Sequence, residues 1–308
     1  MHIIIAGGSG LIGRELTYAF VIDGNDVTIL SRNPEKVKDI PDGVKILQWD
    51  ARNVQDWGNE IPHTDVVINL VGENLSGKGL FPSRWTKERK ELLLRSRVDA
   101  GKALAKAIKV SDKKPAIFIQ ASGIGTYGTN PEKIFTEESK VGDDFLANLC
   151  KEWEASSESV EVFGVRRVVV RFGVVLSTNG GALRPLLFPY KLYIGGPIGN
   201  GQQVHSWIDI IDVVNAIQFL IDHDYARGVF NLSSPNPVTN NEFGKAISMV
   251  MRRPHYLPIP GFVMHLAFGE VADMVLKGQR VLPKKLLDGG YIFKYPTLVN
   301  ALNELLKQ

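Results

Sequence analysis

The apolar positions of this chain come in short runs separated by polar turns. Ile3–Ala6 is one such run, rich in β-branched residues, the pattern of a strand covered on both faces. It stops at Gly7-Gly8-Ser9-Gly10-Leu11-Ile12-Gly13, and Leu11–Asp23 then reads as a helix. Similar runs predict strands at Asp26–Ser31, Val44–Gln48, Asp65–Leu70, Ala116–Ala121 and Gly164–Val170. Between them helices are expected at Pro34–Asp39, Thr86–Lys109 and Asp144–Val160. Alternation of this kind predicts an α/β fold with a doubly wound parallel sheet, whose ligands sit at the carboxyl ends of the strands.

After Ser177 the pattern changes. Gly- and Pro-rich stretches appear at Asn179-Gly180-Gly181, Gly195-Gly196-Pro197 and Gly199-Asn200-Gly201. A helix at Asp209–Asp222 and a strand at Val229–Leu232 are expected to return to the sheet. Thr239–Met251 and Gly261–Leu276 read as amphipathic helices, the second expected to bury Phe262, Leu266 and Phe268 in a core. Two short helical pieces are expected in Leu282–Lys307, around Gly289-Gly290.

Composition narrows the function classes. The 308 residues are 44% hydrophobic and 22% charged, enough apolar matter for a sizeable core. A net charge of +3 gives no argument for a nucleic-acid partner. A single cysteine, Cys150, excludes an intrachain disulfide and fits a reducing, cytoplasmic setting. Neither a signal peptide nor a membrane span is visible. His2, His63, His205, His223, His255 and His265 lack metal-ligand spacing, so no metal site is expected.

The glycine segment carries the first chemistry. Gly8, Gly10 and Gly13 satisfy G-x-G-x-x-G, and Gly7, Gly10 and Gly13 satisfy the related G-x-x-G-x-x-G, in the strand-to-helix setting that a dinucleotide's pyrophosphate requires. At the end of the second strand an NAD enzyme would carry an acid for the ribose 2′-hydroxyl. Here the chain reads Ser31-Arg32, so NADP(H) is expected rather than NAD(H), with Arg32 on the 2′-phosphate and Ser31 as an added donor. Asp50, at the next strand end, either accepts from the adenine amino group or caps a helix.

Gly7–Gly13, Asn69–Gly72, Ser122–Gly128, Arg171-Phe172-Gly173 and Trp207-Ile208-Asp209 resemble the extended short-chain dehydrogenase/reductase superfamily. Arg84-Trp85-Thr86, Ser96-Arg97, Gly142–Leu146 and Lys277–Pro283 narrow the resemblance to its atypical epimerase branch, some of whose members are linked to cell division. The resemblance implies a Rossmann unit over residues 1–176, with 205–234 returning to it. A smaller α+β substrate domain would comprise 177–204 and 235–308. It also implies a cofactor set of Gly7, Gly10, Leu11, Ile12, Gly13, Ser31, Arg32, Asp50, Leu70 and Gly72. The superfamily's Tyr-x-x-x-Lys pair is missing: Leu146 and Cys150 fall near those places.

Catalytic candidates are therefore Ser122, which matches the superfamily serine, and Tyr127, as a substrate contact or a substitute proton donor. On the substrate side stand Arg84 and Arg97, able to bind an anionic group or to solvate helix faces, with His205 and Trp207 able to line a pocket. Two functions are expected. The first is an NADP(H)-dependent oxidoreductase or epimerase acting on a small or nucleotide-sugar-like carbonyl or alcohol. The second is a non-catalytic regulator that senses NADP(H). A homodimer through the helices at Thr86–Lys109 and Asp144–Val160 is implied by the superfamily.

Overall fold

The computed structural model describes residues 1–77, 79 and 82–307. In chain order, the first half comprises β1 (His2–Ala6), α1 (Leu11–Ile22), β2 (Asp26–Ser31), β3 (Lys45–Gln48), β4 (Val66–Asn69), α2 (Lys87–Val110), β5 (Ile117–Gly123), β6 (Asn130–Phe135), α3 (Phe145–Ala155) and β7 (Arg166–Phe172). The second half comprises β8 (Val174–Leu176), α4 (Leu183–Lys191), β9 (Val204–His205), β10 (Trp207–Asp209), α5 (Ile210–Asp222), β11 (Gly228–Leu232), β12 (Val238–Thr239), α6 (Asn240–Met251), α7 (Gly261–Phe268), α8 (Asp273–Leu276), β13 (Gln279–Val281), α9 (Lys284–Asp288) and α10 (Leu298–Leu305).

Seven parallel strands form the main sheet in the order β11-β7-β5-β4-β1-β2-β3. The chain winds outward from β1 through β2 to β3, then returns to lay β4 on the other side of β1. That reversal opens a crevice at the carboxyl end of β1, where an open α/β sheet takes its ligand. Side chains alternate strictly across the sheet. Ile3, Ile5, Ile29, Val66, Ile68, Ile119 and Val168 meet Leu16 and Phe20 of α1 and Val213, Ile217 and Leu220 of α5. Ile4, Leu30, Val67 and Phe118 face the other way, onto Ala100, Ala103, Leu104 and Ile108 of α2. Both faces are covered, which is why the strands read as unbroken apolar runs. A separate apolar cluster joins α4, α6 and α10 around Trp207, Phe243 and Leu298.

Side-chain caps set four of the helix starts. Thr86 accepts from the Arg89 amide, Asp144 from Ala147 and Asp209 from Ile211, and Thr239 with Glu242 forms a capping box. The structure departs from the sequence reading at four places. Pro34–Asp39 yields only a single 3₁₀ turn, Pro34–Lys36. The helix expected to reach Val160 ends at Ala155, because Ser156 Oγ donates back to the Trp153 carbonyl and Arg167 takes that of Glu154; a 3₁₀ turn, Glu158–Phe163, follows. Asn130–Phe135 is a strand with no apolar alternation, built by pairing with β13 far along the chain.

The fourth change concerns Gly261–Leu276. Gly269, at φ +63°, breaks it into α7, a 3₁₀ turn and α8. No α7 side chain is buried: Phe262 is 72% exposed and Leu266 74%, so the expected core packing does not occur. Apolar residues occur all round α7, and only Gly261, Met264 and Phe268 on one side are partly covered. Phe262→Ser and Leu266→Ser should accordingly change unfolding free energy by no more than about 0.5 kcal/mol, whereas a core Phe truncation costs about 3–5 kcal/mol. Urea unfolding of the two variants checks this.

Asp209 gives a pH test. Its side chain is wholly buried; Oδ1 caps α5 and Oδ2 has no partner among the described residues. Burial, helped by the neighbouring Asp212 carboxylate, pushes its carboxyl up from 3.8 to about 6. The folded state therefore holds a proton that the unfolded chain releases between those values, and stability falls as pH rises through that window. Asp209→Asn keeps a capping oxygen and should flatten that part of a melting-temperature profile taken from pH 4 to 7.

Candidate functional site

The first strand-to-helix turn is made by close backbone approach. Gly7 takes φ +84°, and a Cβ there would lie 3.1 Å from the Leu70 backbone. A Cβ on Gly13 would lie 2.5 Å from the Gly7 carbonyl and 2.6 Å from the Gly8 Cα, closer than side chains approach. The missing side chains let α1 start directly behind β1. Its N-cap is Gly10, with no side-chain cap and no acid in the first turn, so the amides of Leu11, Ile12 and Gly13 open a positive helix end toward the crevice. Leu70 and Gly72 leave β4 beside this turn; the Leu70 amide donates to Ala6. These residues fit a dinucleotide's pyrophosphate, a group that needs backbone N–H donors and no side-chain bulk.

Beyond β2 the chain turns at Ser31, whose Oγ accepts from the Asn33 amide. Arg32 is exposed there and makes no ion pair among the described residues. It lines a cavity of about 410 Å³ with Gln48, Trp49, Asp50, Gln55 and Asp56. Asp50 is occupied: Oδ1 accepts from the amides of Arg52 and Asn53, and Oδ2 from the Asn53 side chain. Burial raises its carboxyl, but these hydrogen bonds outweigh that and hold it below the ordinary value. Its place is a turn cap at the rim of the cavity.

At the ends of β5 and β7 lies a buried polar cluster. Arg171 grips Glu154 of α3 with two parallel hydrogen bonds of 2.8 Å, Nε to Oε1 and Nη2 to Oε2. Ser122 Oγ donates to Glu154 Oε1 at 2.6 Å, and Ser122 is 2% exposed. Tyr127 donates its hydroxyl to Asn231 Oδ1 at 2.7 Å and accepts from Arg171 Nη1 at 3.0 Å. Burial raises the tyrosine, against the pull of Arg171. The hydroxyl protons of both catalytic candidates are thus committed inside the protein, which removes the reason for casting Tyr127 as a proton donor. Cys150 is buried and its thiol is pushed up to about 11 by burial, with the Glu154 carboxylate adding to it, so it stays protonated. Leu146 packs over Gly125, and Lys151 is exposed.

The substrate-side candidates scatter. Arg84 donates to the carbonyls of Leu266 and Ala267, fastening the end of α7 instead of facing a ligand. Trp207 is fully buried, its Nε1 donating to the Asn236 carbonyl. His205 lies between Asn240, 3.4 Å from Nε2, and the edge of Phe243; burial lowers it to about 4, so it is neutral. Only Arg97 stands at the crevice, against Gly72. Sequence reading missed Glu154 and Asn231. Glu154 carries no signal of its own, because a surface-like Glu on a charged helix becomes partly buried only when Arg171 arrives from β7.

Comparison with known proteins follows the same lines. Residues 7–186 match a family model described as NAD(P)H-binding, and residues 259–305 match a domain of unknown function, DUF1731. The epimerase family protein YfhF of Bacillus subtilis is 39% identical over 307 residues, covering 99% of this chain and 98% of its own. The structure of the human epimerase family protein SDR39U1 with NADPH gives a TM-score of 0.88 at 33% identity over 100% of both chains. A nucleoside-diphosphate sugar epimerase from Corynebacterium glutamicum gives 0.78 at 30% identity, over 99% of this chain and 58% of that one.

The buried pair is open to test. Glu154→Gln leaves Arg171 charged and unpaired and should cost about 3 kcal/mol in urea unfolding, whereas the double replacement Glu154→Leu, Arg171→Met should cost less. By sequence along its whole length, by its glycine turn and by its sheet order, the chain belongs to the epimerase family proteins, NAD(P)H-binding members of the extended short-chain dehydrogenase/reductase superfamily.

Proposed function

We propose that the protein is an NADP(H)-dependent oxidoreductase that passes hydride between the nicotinamide and a small carbonyl or alcohol. The observation that carries the choice of NADP(H) is Arg32: a guanidinium without an ion-pair partner among the described residues, at the end of β2, beside a cavity able to take an adenosine 2′-phosphate. Gly7, Gly10, Leu11, Ile12 and Gly13 would hold the pyrophosphate, with the α1 N-terminus complementing its charge. The backbone of Leu70 and Gly72, at the end of β4, would border the nicotinamide half if Arg32, at the end of β2, held the other. When bound, the cofactor supplies or accepts a hydride at its nicotinamide ring.

This chain's own residues then have two tasks: to exclude water and to hold the oxygen of the reacting carbon. Ser122 could serve only as an acceptor, since its hydroxyl already donates to Glu154. A non-catalytic NADP(H) sensor is the second reading, and the engaged hydroxyls of Ser122 and Tyr127 favour it. The buried, protonated Cys150 fits a reducing, cytoplasmic setting for either.

Titration calorimetry with NADPH and NADH tests the cofactor. Wild type should prefer NADPH, and Arg32→Ala should weaken NADPH by roughly tenfold to a hundredfold while leaving NADH nearly unchanged, the size expected for charge-assisted hydrogen bonds. Equal binding of both nucleotides by wild type would overturn the assignment. Substrate-dependent loss of NADPH absorbance across a panel of carbonyl compounds would separate the enzyme from the sensor.

A further inference from the structure

Three arginines are buried among the described residues, and two have what a buried guanidinium needs. Arg166 donates to the carbonyls of Leu220, Ile221, His223 and Ala226, closing the end of α5. Arg171 holds Glu154. Arg97 differs. It is 6% exposed, and its one hydrogen bond among the described residues runs from Nη1 to the Leu93 carbonyl, one turn back on α2, at 2.9 Å. Nε is buried with no acceptor. The neighbouring carboxylate, Glu73, pairs with Arg89 at 3.3 Å instead. Trp153 stacks on the guanidinium at 4.8 Å, which offsets only part of the cost of burying a charge.

The position is specific as well as the poverty of partners. A Cβ on Gly72 would lie 3.0 Å from Arg97 Cζ and 3.1 Å from Nη2. Gly72 itself is exposed, so its missing side chain lets the guanidinium come up beneath an open strand end. The titratable and charged groups that act on it are Glu73, Arg89 and the Cys150 thiol. Burial lowers Arg97 to about 10, which leaves it charged at neutral pH. Of the three buried arginines, Arg97 alone lacks an ion pair or a full set of acceptors among the described residues, and such exceptions are expected where function requires them.

We propose that Arg97 is the substrate-binding cation of this cleft, holding an anionic oxygen, a carboxylate, on the molecule that reacts. The inference rests on the cofactor reading above and deepens it: the substrate is a small carboxylate-bearing carbonyl or alcohol. The α1 N-terminus and Arg32 would serve the cofactor's phosphates at the ends of β1 and β2, which leaves the charge beside β4 for the substrate. A planar guanidinium with free N–H donors matches a carboxylate in both charge and geometry.

The test uses the full chain saturated with NADP⁺ and titrated with oxalate, its uncharged analogue oxamide serving as control. Oxalate should bind wild type and oxamide should not. Arg97→Gln should weaken oxalate by roughly tenfold or more, and Arg97→Lys by less, while the affinity for NADP⁺ stays the same in all three. Melting temperatures confirm that the variants fold; removing an unpaired cation should not lower them. Unchanged oxalate binding in Arg97→Gln, or no oxalate binding by wild type, overturns the proposal. So does loss of NADP⁺ affinity in Arg97→Gln, which would put the guanidinium on the cofactor. Failure of wild type to bind NADP⁺ would instead overturn the underlying cofactor reading, and this one with it.

Discussion

Backbone contact between the first turn of α1 and the end of β1 is the constraint from which the rest of the cleft follows. Gly13 sits where no Cβ fits, against the carbonyl of Gly7 and the Cα of Gly8. Because the helix can begin so close to the strand, its uncapped N-terminus opens at the same edge of the sheet as the ends of β2, β4 and β5. Arg32, Leu70, Gly72 and Ser122 all stand at that edge for this reason. Any side chain at Gly13 would push the helix away and separate the positive helix end from the crevice.

The second organising feature is the way buried charge is handled. Arg171 and Glu154 neutralise each other and then use their remaining hydrogen-bonding capacity on Tyr127 and Ser122. The cluster ties α3 to β5 and β7 and, through Asn231, to β11 and the Leu282 carbonyl. Such satisfaction fixes side chains and leaves little for chemistry. Two hydroxyls at the expected catalytic places have become structural donors. Arg97, on the neighbouring helix, is the opposite case: charged, buried and short of partners.

Much of the α/β half was legible because the central strands are covered on both faces and α2, α3 and α5 start at capping side chains. Asp26–Ser31 matches its expected bounds, and Thr86, Asp144 and Asp209 mark helix starts that the sequence already placed. The tail was less legible. An apolar stretch such as Gly261–Phe268 looks the same whether it is buried or exposed, and only the position of neighbouring elements separates the two. Asn130–Phe135 gave no pattern at all, since its strand character comes from pairing with Gln279–Val281.

What the sequence determined by itself was local: the glycine turn, the basic residue after the second strand, the caps, and the loss of a tyrosine–lysine pair. These depend on spacing and residue type within a few positions, and short-range sterics and hydrogen bonding express them directly. Tertiary structure alone decided the fate of each polar side chain. Tyr127 and Arg171 are 44 residues apart, and Arg84 and Leu266 182 apart, so what each of these groups meets depends on long-range packing. Spacing along the chain carries no record of which groups such packing will bring together, or of which, Arg97 among them, it will leave without an acceptor for a buried Nε.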